Sequence, residues 1–92
     1  MKNLNEAQLS TIEMMAELFY SPEEIAINIE VDPDDFTTTL KAKEGDAFKY
    51  YMKGWLQGDI TLRRAIAKAA ENGSSPAQQM MREYQLHNKL HL

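Results

Sequence analysis

The chain has no cysteine. That removes disulfides, thiolate nucleophiles and Cys-based zinc or iron–sulfur sites, and it fits an intracellular protein. No apolar run approaches the length that spans a bilayer. Met-Lys-Asn-Leu-Asn does not read as a signal peptide, so a cytoplasmic location is expected, in the host cell if the protein is phage-derived. Gly-x-Ser-x-Gly is absent, and so is a Gly-rich phosphate loop followed by Lys-Ser/Thr. A chain of 92 residues read as five helices leaves little room for a concave site with convergent groups. Neither enzymatic activity nor a cofactor is expected. There is no internal repeat and no low-complexity stretch.

The apolar fraction, 43%, is too high for a disordered chain. So short a chain buries a limited core, which makes oligomerisation a reasonable expectation. The net charge is −4, unevenly spread. Residues 1–45 carry three lysines against ten Asp or Glu, and residues 46–92 carry seven Lys or Arg against four. Such halves either attract one another head to tail between subunits or are simply solvated.

Few residues break the chain, and they stand at regular places. Pro22, Pro33 and Pro76 each suit the first turn of a helix. Ser21 and Glu24 have the spacing of a capping box, and Asp32 is an N-cap with Asp35 at the third helical position. The segment from Ser21 to Lys41 therefore reads as two short helices joined by a tight turn, the geometry of a helix-turn-helix. Before it, a helix is expected from about Asn5 to Phe19, with Glu13 and Glu17 opposite its apolar face. Leu9, Ile12, Phe19, Ile25, Ile29, Phe36 and Leu40 are expected to form the core of this unit. Gly45 is expected to end the third helix in the left-handed conformation, with Asp46 capping the next. A long helix follows from Asp46 to about Asn72. Phe48, Met52, Trp55, Leu62, Ile66 and Ala69 form its apolar stripe. Gly54 and Gly58 point to a bend near residue 58, or, as the weaker reading, to close approach of another helix. Gly73 stops this helix, Ser75 caps the last one, and the short turn makes the two a hairpin. Ala77, Met80, Met81 and Tyr84 line the apolar side of that helix. The expected fold is all-α, with a trihelical helix-turn-helix unit over 1–45 and a helical hairpin over 46–92, the latter an oligomerisation module.

His87 and His91, four apart, suggest a metal pair but lack the remaining ligands of a structural site. Asp32, Asp34 and Asp35 lack the rest of a calcium loop and suit a helix N-terminus. No metal site is expected. Thr37, Thr38 and Lys41 are the outward polar positions of the second helix of the pair, a position from which such helices contact DNA, and Lys43 follows. Arg63, Arg64 and Lys68 form the strongest basic cluster. Lys49 and Lys53 lie earlier on the same helix, among Tyr50, Tyr51 and Trp55. A stripe of this kind either holds phosphates and stacked bases or is a solvated face above buried aromatics.

The segment IAINIEVDPDDFTTTLK is similar to the IA-x-x-LGV-S-x-x-T-x-x-x-WL pattern of homeodomain-like helix-turn-helix modules in transposases and phage terminase small subunits. Downstream, Tyr51-x-x-Gly54, Leu62-Arg63-x-Ala65-Ile66-x-x-Ala69 and Asn72-Gly73-x-x-x-Ala77-x-x-x-Met81 resemble the terminase small subunits in particular. The resemblance covers about residues 9–84. It implies an oligomeric, non-enzymatic protein that recognises packaging sites on double-stranded viral DNA and delivers them to a separate large subunit. It implies that Pro33, Asp34, Thr37, Thr38 and Lys41 face DNA. Glu30 stands where that pattern has a turn glycine, which calls for a side chain at a left-handed position. Asp34 and Asp35 stand where basic or neutral residues are common. Without DNA contact, the same unit would serve as a helical protein-interaction adaptor.

Overall fold

Capping side chains and left-handed stops cut the chain into its elements. The computed structural model describes residues 3–91, and side chains through Asn88. It contains five helices and, among the described residues, no strand: α1 Glu6–Glu17, α2 Pro22–Asn28, α3 Pro33–Lys41, α4 Gly45–Glu71 and α5 Ser75–His91. The fold class is all-α, as the periodicity indicates.

Each of the first three helices opens on a side-chain cap. Asn5 accepts from the Gln8 amide at 2.7 Å, and the Gln8 side chain accepts from the Asn5 amide at 3.0 Å. Ser21 and Glu24 make the same reciprocal pair at 3.2 and 2.9 Å. Asp32 accepts from the Asp35 amide at 3.0 Å. These bonds satisfy donors that have no partner inside a helix.

The stops share one device. After α1, Phe19 and Tyr20 donate to the Ala16 and Met15 carbonyls. After α2, Glu30 and Val31 donate to the Ile27 and Ala26 carbonyls. After α4, Gly73 and Ser74 donate to the Ala70 and Ala69 carbonyls. Each pair is a Schellman closure, which needs a left-handed residue directly after the cap. Phe19 (φ 64°), Glu30 (φ 63°) and Gly73 (φ 97°) occupy those positions. Lys43, at φ 56°, stops α3 in the same conformation and donates to the Leu40 carbonyl. The stop after α3 is thus Lys43; Gly45 is left-handed as expected, at φ 88°, but it opens α4 and leaves Asp46 inside its first turn. The cap of α5 is Ser74 and not Ser75: its hydroxyl accepts from the Ala77 amide at 3.3 Å.

The chain divides into two compact units, residues 1–59 and 60–92, and the division falls within α4, beyond Gly45. In the first unit Leu9, Ile12, Met15, Ala16, Ile25, Ala26, Ile29, Phe36, Leu40 and Ala47 form one buried cluster. Phe36, Ile12 and Ile25 are its largest fully buried side chains. Truncating a fully buried Phe to Ala typically costs about 3–5 kcal/mol. Phe48, Tyr50 and Tyr51 of α4 pack against the cluster, so the start of α4 belongs to this core. Gln8 Nε2 donates to the Ile29 carbonyl at 3.0 Å and ties the start of α1 to the end of α2.

Phe19 leaves the expected core. It lies past the end of α1 and is 47% exposed, its ring edge-on to Trp55 at 6.1 Å. The chain turns left-handed at Phe19, so its side chain no longer follows the helical face that periodicity assigns to it.

The glycines of α4 act differently from the expected bend. The helix runs unbroken through both, and both are buried. A methyl at Gly54 would overlap the backbone of Glu13, with its carbonyl carbon 2.8 Å away. One at Gly58 would stand 3.0 Å from the carbonyl carbon of Glu17. Glu13 and Glu17 are one turn apart, as are the two glycines. The backbone of α1 therefore lies along a groove that only glycine leaves open. That face of α1 turns toward α4, not to open solvent, and a Lys53–Glu13 ion pair of 3.8 Å borders it.

In the second unit α5 returns against α4. Gln78 Nε2 donates to the Ala70 carbonyl at 3.1 Å, and Ala77 is buried. The Arg63 guanidinium sits 3.8 Å above the centre of the Tyr84 ring.

Candidate nucleic-acid interface

Two stretches carry the polar and basic residues singled out from the sequence, one in each unit. On α3, Pro33, Thr37 and Lys41 recur every fourth residue and share one face. Pro33 and Thr37 are half-buried, Thr38 and Lys41 are exposed. Lys43 is exposed in the left-handed stop that follows. The short connection from α2 is held by the Schellman bonds at Glu30 and Val31, so α3 is presented on a fixed turn. The required left-handed residue there is a glutamate, at some cost in backbone strain.

The electrostatics around α3 are acidic. Asp34 and Asp35 lie in its first turn, where the helix dipole favours them, and Lys41 lies in its last. Between Asn3 and Leu40 the chain has nine carboxylates and no lysine, arginine or histidine. Thr38 lines an open hollow of about 520 Å³ that also has Glu44 and Asp46 on its wall. Those two carboxylates disfavour a phosphate there. The nearest cations stand at the C-terminal end of α3 and in the turn after it, so any phosphate contact there belongs to Lys41 and Lys43.

On α4, Arg64 and Lys68 are exposed and one turn apart. Arg63 is exposed too, but its guanidinium carbon lies 3.8 Å over the centre of the Tyr84 ring. A cation–ring contact of that kind holds the guanidinium in place. Sequence reasoning finds the three cations but not the stack, because nothing in local spacing pairs residue 63 with residue 84.

Of the histidine pair, the His91 side chain lies outside the described residues. No group of three or more potential metal ligands occurs among the described residues. No helix of the described residues is long and apolar enough to cross a membrane. Among the described residues, Glu24 has a clear pKa displacement. It lies below its ordinary 4.5 because the Ser21 amide and hydroxyl hydrogen-bond to its carboxylate.

Much apolar surface stays open. Leu18 and Ile27 of the first unit are exposed, as are Trp55 and Leu56 of α4. Leu62, Met80 and Leu86 of the second unit are exposed as well, while Met81 is half-buried.

Comparison with protein-family models, with curated proteins and with solved structures finds no match to this chain.

Proposed function

We propose that this protein binds double-stranded DNA as an oligomer, in the manner of a phage terminase small subunit serving a separate large subunit. The supporting observation is the α2–turn–α3 pair. Two capped helices are joined by a closed turn, and the second presents Thr38 and Lys41 to solvent. That is the layout with which a helix-turn-helix offers its second helix to a groove. Lys41 and Lys43 supply phosphate contacts at the end of α3, and Arg63, Arg64 and Lys68 supply a second basic stretch. With so few cations, affinity per subunit is low, and simultaneous engagement by several subunits makes up the difference. The exposed apolar residues of α4 and α5, Leu62 and Met80 among them, support self-association.

A second reading rests on the cation-free stretch from Asn3 to Leu40. A unit so acidic suits a basic protein partner better than a polyanion, which makes the chain a helical adaptor.

Titration of labelled duplex DNA with the full chain, followed by fluorescence anisotropy, separates the two. DNA binding predicts an affinity that falls steeply between about 50 and about 200 mM salt. Absence of binding at the lower salt favours the adaptor.

A further inference from the structure

The α1–α2 surface holds an open groove of about 450 Å³ that DNA binding does not use. Its wall is formed by Met14 of α1, Leu18 just past its end and Ile27 of α2, with Met15 beneath and Tyr20, Glu24 and Asn28 at the rim. The three wall residues are 51%, 60% and 68% exposed, while Met15 is buried. Ile27 is out of place by chemistry. The other outward residues of its short helix include Glu23 and Glu24, and no cation precedes Lys41 after Lys2. The groove is thus apolar inside, with the Glu24 carboxylate on its polar rim and Glu23 next to it in the chain. Its complement is a helix ridge that is apolar for one stretch and cationic for the next.

The chain contains such a ridge. Leu56, Ile60, Arg64 and Lys68 recur every fourth residue on one continuous helix, and all four are exposed. Two aliphatic side chains come first and two cations follow. Residues 1–59 carry five Lys against twelve Asp or Glu, while residues 60–92 carry five Lys or Arg against two Glu. Local and overall charge therefore agree.

We propose that the α1–α2 groove of one copy receives the Leu56–Ile60–Arg64–Lys68 ridge of a second copy. Leu56 and Ile60 fill the space between Met14, Leu18 and Ile27, and Arg64 and Lys68 face Glu23 and Glu24. This is a helix laid in a groove with anchors one turn apart. Groove and ridge are different surfaces, so the contact is head-to-tail and each copy keeps one of each for the next. The inference rests on the self-association proposed above, and names its surface.

Complementation between two variants of the full chain tests it. Ile27→Asp disables the groove, and Ile60→Asp with Arg64→Glu disables the ridge. All three positions are exposed, and circular dichroism checks that the helices persist. Leu18→Asp serves as a second groove variant. By light scattering, the unmodified chain associates, and each variant alone associates about tenfold more weakly or less. An equal mixture of the two forms two-chain complexes and nothing larger, because one intact groove meets one intact ridge. If the unmodified chain stays monomeric at high concentration, the self-association reading itself fails, and this inference with it. If the chain associates but the variants do so equally well, the inference fails and self-association stands on another surface. Variants that each lose association but do not recover it on mixing also overturn the inference, and point to a groove filled by another protein.

Discussion

Among the described residues, three with side chains, Phe19, Glu30 and Lys43, sit where the backbone turns left-handed, and each records how a helix ends. Glu30 closes α2, and its conformation is the one its place between α2 and α3 calls for. Left-handed backbone costs a residue with a Cβ about 1–2 kcal/mol, part of which glycine gives back as chain entropy. Glu30→Gly is expected to raise the melting temperature modestly without changing helix content. Loss of stability would show that the Glu30 side chain makes a compensating contact. Phe19 was not legible in the same way. Its spacing from Ala16 and Ile12 places it on the core face, and only the Schellman bonds at residues 19 and 20 reveal that the helix has already ended. Ser74 was missed by a single position, because Ser74 and Ser75 are equivalent in composition and only the hydroxyl-to-Ala77 bond separates them.

The capping box at Ser21 and Glu24 predicts a pH dependence. Glu24 is held below its ordinary 4.5 by hydrogen bonds to Ser21. A carboxylate whose folded pKa is depressed stabilises the fold above its unfolded value, and that contribution disappears as pH falls through the folded value. Glu24→Gln retains an acceptor but no charge. Melting curves of the two proteins are expected to differ at neutral pH and to converge as pH falls below 4.5. A gap that stays constant into acid would assign the difference to packing.

The largest gap between sequence and structure at the level of elements concerns α4. Glycines one turn apart in a long helix suggest a bend, because glycine weakens a helix by about 1 kcal/mol relative to alanine. The helix is continuous, and the glycines instead admit the backbone of α1 at Glu13 and Glu17. Only a tertiary contact decides between these uses, and local spacing carries none. The expected sign of substitution reverses accordingly. In an unbent, uncrowded helix Gly54→Ala stabilises. Here the added methyl meets backbone that cannot rotate away, so Gly54→Ala and Gly58→Ala are each expected to destabilise by about 1–3 kcal/mol. Denaturant unfolding measures it, and a rise in stability for either variant would remove the close approach. By contrast, the starts of α2 and α3 were legible to the residue. Ser21, Glu24, Asp32 and the following prolines state them locally, in groups that act within one turn.

For the whole molecule, charge is the dominant fact. Residues 1–59 and 60–92 form separate compact units of opposite net charge, with α3 and its few cations in the acidic one. The core of the first unit was legible, Phe19 apart, because apolar periodicity reports burial: Leu9, Ile12, Ile25, Ile29, Phe36 and Leu40 are all buried, whereas Trp55, Leu62 and Met80 of the later stripes are exposed. The interface was only partly legible. Outward positions on α3 follow from its phase, but the Arg63–Tyr84 stack and the acidic wall beside Thr38 depend on which elements meet. Lys41 is the exposed cation of α3 itself, which makes it the most informative position. The most direct measurement is the affinity of the full chain and of Lys41→Ala for duplex DNA at low salt, with light scattering to confirm equal assembly. The expected result is DNA binding by the unmodified chain that Lys41→Ala weakens, with a shallower dependence on salt. Binding that is absent, or that is unchanged in affinity and salt dependence by Lys41→Ala, would contradict DNA recognition through α3.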